Sequence, residues 1–152
     1  MSGIVDFTTV GYATTSGAQL WARSYQPPAA VNGTDGAQAA GMSPDGASVY
    51  ITGSAAGSAR NSVTYTTIAY HTATGQKAWL ARYVGPRHFD FANALAVSPT
   101  GQGVFVTGFI GVHDGCCNFG TVPTSRSVLS PSSTRHVVAE TGYPVYQALG
   151  FE

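Results

Sequence analysis

The sequence predicts an all-β fold assembled from a repeated four-stranded unit. Three observations carry this prediction. The chain writes one phrase twice, GYATTSGAQLW at 11–21 and AYHTATGQKAW at 69–79. A second phrase, SPDGASVYITG at 43–53, returns as SPTGQGVFVTG at 98–108. Around these lie short runs of β-branched, aromatic and small residues, and no useful window keeps a helical period.

The copies align without gaps. Residues 7–28 match 65–86 at an offset of 58, with eight of 22 positions identical. Residues 35–53 match 90–108 at an offset of 55, with nine of 19 identical. A degenerate third copy, HVVAETGYPVY, stands at 136–146. It keeps Thr141-Gly142 and sets Tyr146 four residues after the glycine, as Trp21 follows Gly17 and Trp79 follows Gly75. The longer spacing before this copy is assigned to an insertion loop at about 109–134.

Each copy contains four strand-like runs. The first is small and apolar, AQAAGM at 37–42 and ANALAV at 92–97. The turns SPDG and SPTG follow, where proline presets φ and glycine closes the turn. The second run, SVYIT or GVFVT, is expected to end at Gly53 or Gly108. The third is FTTVGY, YTTIAY or the degenerate RHVVA, closed by a Thr/Ser-Gly turn. The fourth is QLWARSY, KAWLARY or PVYQALGF.

Four antiparallel strands recurring at this period describe a β-propeller blade. The chain is expected as one domain, a partial β-propeller of about two and a half four-stranded antiparallel blades. A half blade falls at 6–25, a blade at 37–83 and a blade with the insertion loop at 91–150. The inner strand is small because it crowds a central channel. Trp21 and Trp79 are each expected to bury ~200 Å² against the next blade. A closed ring needs at least four blades. The expectation is therefore a piece of a larger propeller, a truncated or frameshifted reading frame, or a unit that associates with copies of itself through open strand edges.

Composition narrows the function classes. Charged residues make up 9% of the chain, well below the usual quarter, yet eight Tyr, seven Phe and two Trp supply a core. The net charge is zero and the basic residues are scattered, so no basic face for nucleic acid is expected. No run of apolar residues is long enough to span a membrane. The start, MSGIVDFTTV, has neither a basic nor an apolar leader region, so no signal peptide is expected in this chain.

Candidate site residues are few. Asp35 and Asp90 recur just before the inner strand. They read either as a polar rim for a ligand or as loop carboxylates that bind main-chain N–H groups, and their repetition favours the structural role. Cys116 and Cys117 lie in HDGCCNFG beside His113 and Asp114. Imidazole and thiolate suit zinc, but this spacing matches no familiar zinc pattern. His71, His88 and His136 read as strand or loop residues. NGT at 32–34 fits the N-glycosylation pattern. No nucleophile, base and orienter stand at a suggestive spacing, and SPDG lacks the pattern of a nucleophile elbow.

The phrases G-Y-A-x-x-S-G-x-x-x-W and A-Y-H-x-x-T-G-x-x-x-W resemble the tryptophan-docking repeat of quinoprotein-like propellers. The Thr/Ser-Gly and Trp are kept, while Ala13, His71 and Val138 stand where that repeat has Asp. SPDG-x-x-VYITG and SPTG-x-x-VFVTG resemble the inner hairpin of YVTN-type bacterial repeats. The resemblance implies an exported bacterial protein, extracellular or periplasmic. It also implies that Gly17, Trp21, Gly75, Trp79, Gly142 and Tyr146 are structural blade residues. In quinoprotein alcohol dehydrogenases a vicinal disulfide lies beside the quinone, so the resemblance offers that role to Cys116-Cys117, against the plainer reading as two loop thiols. No set of an acidic residue and Asn for a calcium ion stands out. The leading expectation is a non-catalytic scaffold or interaction module without a cofactor, its protein or small-molecule ligand unknown. The alternative is a fragment of a PQQ-dependent oxidoreductase that uses calcium, and a third reading is a degraded gene product.

Overall fold

The computed structural model describes residues 7–27, 35–57, 62–111 and 117–125, and the backbone of 137–138 and 144–145. The described residues are all-β, with antiparallel pairing throughout the sheets and no helix. The first sheet pairs β1 (Phe7–Tyr12) with β2 (Gln19–Tyr25). The second is a four-stranded meander of β3 (Gly36–Met42), β4 (Ser48–Ala56), β5 (Val63–His71) and β6 (Lys77–Tyr83). The third holds β7 (Asp90–Val97), β8 (Gly103–Gly111) and β9 (Cys117–Ser125) in that order. A short hairpin joins β10 (Val137–Val138) to β11 (Pro144–Val145). No closed sheet is formed among the described residues.

The three larger sheets stack face to face in chain order. Side chains alternate across a strand, so each strand can serve both faces. On one face of the second sheet Val49, Ile51, Ile68, Tyr70 and Leu80 meet Phe7 and Tyr25 of the first. On the other face Tyr50, Tyr65, Ala69, Trp79 and Tyr83 meet Ala92, Leu95, Val97, Val104 and Val106 of the third. Burial on both faces explains why SVYITGSAA and VTYTTIAYH are apolar and hydroxylic without a charged residue.

The sequence repeat is also a hydrogen-bond repeat. Gly17 N donates to Ala13 O at 2.8 Å, and Gly75 N donates to His71 O at 2.8 Å. The Ser43 hydroxyl accepts from Ser48 N at 2.9 Å, and the Ser98 hydroxyl accepts from Gly103 N at 2.9 Å.

Three boundaries differ from expectation. First, β4 and β8 do not stop at Gly53 and Gly108 but run on to Ala56 and Gly111. Each glycine lies opposite a bulge in the inner strand, at Ala37/Ala39 and Ala92/Ala94. A Cβ there would strike the carbonyl oxygen of Gly36 or Phe91. The Thr-Gly pair therefore marks a close backbone approach, not a strand end. Second, the stretch 109–134, expected as a loop, carries the end of β8 and all of β9. Phe119-Gly120-Thr121-Val122 pairs with β8 in the register that Tyr65-Thr66-Thr67-Ile68 keeps with β4: Gly53 faces Thr66, and Gly108 faces Gly120. Third, of the run at 136–146 only Val137–Val138 and Pro144–Val145 are described, and among the described residues these pair with each other while the third sheet has three strands.

Candidate interaction surfaces

The best-defined contact between sheets is the seat of Trp21. Its ring lies 7% exposed on the β5–β6 turn of the second sheet. Gly75 sits beneath it, where an added Cβ would come within 2.5 Å of the indole. Gly11 of its own sheet also leaves room for the ring, with an added Cβ 2.6 Å from it. The indole Nε1 donates to Thr72 O at 2.8 Å, and the Tyr70 ring lies 6.0 Å away. Arg23 reaches the same turn, donating from Nε to Gly75 O at 2.8 Å and from Nη2 to Thr74 O at 2.9 Å. Sequence reasoning missed Arg23 because Ala81 holds its place in the next copy.

Trp79 occupies the corresponding place in β6 but is only partly buried, stacked at 5.7 Å on Tyr50 of its own sheet. Gly142 and Tyr146, expected as the turn and aromatic of the third copy, lie outside the described residues. Cys116, His113 and Asp114 also lie outside them, as do His136 and the NGT at 32–34. Cys117 opens β9, where its backbone pairs with Gly111.

Asp35 and Asp90 are buried, at 1% and 0% exposure. Each accepts the main-chain N–H of the residue 21 further on: Ala56 N at 2.7 Å for Asp35, and Gly111 N at 3.2 Å for Asp90. Asp90 also accepts from Gly85 N at 2.6 Å. Burial raises the pKa of Asp90, an effect opposed by these two N–H donors and by the nearby His88. Tyr65 and Tyr83 share its surroundings. Burial, with the Asp90 charge beside it, pushes Tyr83 up to about 12 and raises Tyr65 as well. These buried carboxylates fasten strand to strand and loop to strand through main-chain N–H groups.

Two clefts are notable on the described surface. One of about 610 Å³ lies between Leu20 and the turns at Gly46–Ala47 and His71–Thr74. His71 is the one titratable group among the described residues of its wall. The other, about 320 Å³, lies between β1 and β3, lined by hydroxyls and small apolar groups, Thr8, Thr9, Ala39 and Ala40 among them. No group of three or more His, Cys, Asp or Glu that could hold a metal occurs among the described residues. No helix among them is long and apolar enough to cross a membrane.

The two ends of the stack carry exposed apolar side chains. On the outer face of the first sheet Val10 is 37% and Tyr12 59% exposed. They correspond to Ile68 and Tyr70, which are buried under the first sheet at 0% and 3%. Beside them Gly17 has the φ of Gly75, yet nothing lies within 4 Å of the position its Cβ would take. On the third sheet Phe105 and Phe109 are 43% and 37% exposed. Phe105 corresponds to Tyr50, which the third sheet covers.

Comparison of the chain with protein-family models, with curated proteins and with solved structures finds no match.

Proposed function

We propose that the chain is a non-catalytic repeat module of partial-propeller type, a scaffold that works by associating through the open ends of its stack. The observation that carries this reading is the vacant counterpart of the Trp21 seat at Tyr12 and Gly17. The same turn and the same tyrosine are present, and among the described residues nothing lies on them. The partner is a second copy: the Phe105 face of one chain stacks on the Tyr12 face of the next, as the second sheet stacks on the first within a chain. Such a contact is heterologous, so it builds a ring if the rotation closes and a filament if it does not. The buried roles of Asp35 and Asp90, and the plain lining of both clefts, support a structural over an enzymatic reading.

Two surface variants test this. Tyr12→Arg removes one face and Phe105→Arg the other, and each variant alone is expected to stay monomeric in light scattering. An equimolar mixture is expected to give a one-to-one dimer, because each chain keeps one good face. Two monomers in the mixture, or association in either variant alone, would contradict the head-to-tail contact.

A further inference from the structure

We propose that the free edge of β1 is a receptor site for one β-hairpin, of the inner type found in this repeat and supplied by a separate repeat-bearing segment. The inference rests on the repeat reading of the sheets, not on the stacking of copies.

In the second sheet, strand β5 is covered along one edge by β4, behind which lies β3. In the third sheet β9 is covered by β8 and β7 in the same way. β1 is the third member of this set: FTTV stands where YTTI and FGTV stand. Among the described residues it pairs with β2 alone, and none of them covers the edge that β4 and β8 cover in the other sheets.

Three features mark the missing hairpin. The first is a hydroxyl. Thr67 in β5 is bonded to the Thr52 hydroxyl of the covering strand at 2.9 Å. Its counterpart, Thr9, has a buried Oγ1 with no hydrogen-bond partner. An unmatched buried hydroxyl is costly, and a threonine arriving opposite Thr9 would satisfy it. The second is the cleft of about 320 Å³, walled by Thr9 and Val10 on one side and by Ala37, Ala39 and Ala40 on the other. It opens where the covering hairpin would lie. The third is the exposed side of β3. Leu95 and Val97 of β7 pack against Gly41 of the preceding sheet's inner strand. Their counterparts in β3, Ala40 and Met42, are exposed, Met42 at 56%, and the preceding sheet has no inner strand among the described residues.

The register follows from the pairing of β4 with β5. A Thr-Gly pair in the hairpin sets its glycine opposite Thr8 and its threonine opposite Thr9. An aliphatic residue then faces Val10, and an aromatic one faces Gly11. A folded second copy cannot supply this segment from its described strands. Its β3–β4 hairpin is bound to β5, and its β7–β8 hairpin to β9. The donor is therefore a hairpin without its own third strand.

The probe is a synthetic peptide copying residues 90–109, added to the full chain. Hydrogen exchange is expected to slow in Phe7–Tyr12 on addition of the peptide. A peptide with alanine in place of the residue copied from Thr107 should bind about tenfold more weakly, as for the loss of one buried hydrogen bond. Thr9→Val in the chain should weaken the intact peptide similarly and leave the melting temperature of the free chain unchanged or raised. Thr67→Val should lower that melting temperature. Peptide protection of strands other than β1, or insensitivity to Thr9→Val, would overturn the edge site while leaving the stacking of copies intact. Slow exchange in β1 before any peptide is added would also overturn it, since the edge would already be filled.

Discussion

Trp21 shows how single residues hold this molecule together. It combines a buried ring, an indole hydrogen bond to Thr72 and a glycine seat on the next sheet. Trp21→Ala should cost ~3–5 kcal/mol, as large aromatic truncations in cores do. Trp79→Ala should cost less, because Trp79 is only partly covered; chemical denaturation of both variants checks the order. Asp90 gives a pH dependence. Burial lifts its folded pKa above the ordinary carboxylate value near 4. Its contribution to stability is therefore fully present below about pH 4 and is lost as pH rises through the folded value. Relative to Asp90→Asn, the parent should lose melting temperature over that rise, and parallel profiles would contradict the sign. The tryptophan and its glycine were legible because the phrase recurs. The Arg23 contact was not, since no second copy of it exists. The carboxylates were legible as a repeated position, but their partners at Ala56 and Gly111 lie 21 residues away, beyond any local pattern.

At the scale of elements the second sheet is the core. β4 and β5 are buried on both faces, so their amides should be the slowest to exchange, close to the global unfolding rate, while β2 should exchange early. Hydrogen exchange by mass spectrometry checks this ranking. Gly53→Ala should cost about 1–3 kcal/mol through the forced shift at the bulge, measurable by denaturant titration. Strand identity and order in the first two sheets were readable from alternation and turn residues. β9 was not, because FGTV shares only a short pattern with FTTV and YTTI. The expected third copy at 136–146 has only Val137–Val138 and Pro144–Val145 among the described residues, and these pair as a short hairpin. The ends of β4 and β8 were misplaced for a physical reason. A glycine required by a bulge reads in sequence like a glycine that ends a strand.

For the whole molecule the decisive feature is that both ends of the described stack present apolar side chains. Within the chain this face is covered: Ile68 and Tyr70 lie under the first sheet, and Tyr50 lies under the third. At the ends the equivalent Val10, Tyr12 and Phe105 meet no further sheet among the described residues. Low charge removes the usual guard against association at such faces. The all-β class and the period were plain in the sequence. What covers the ends was not, because a repeat defines the surfaces that match but not the number of units that meet. The measurement that tests this most directly is the mass of the purified chain by light scattering across a concentration series. A mass several times that of one chain is expected, growing with concentration until a ring closes or continuing as a filament. A folded chain that remains a monomer at the highest soluble concentration would contradict it.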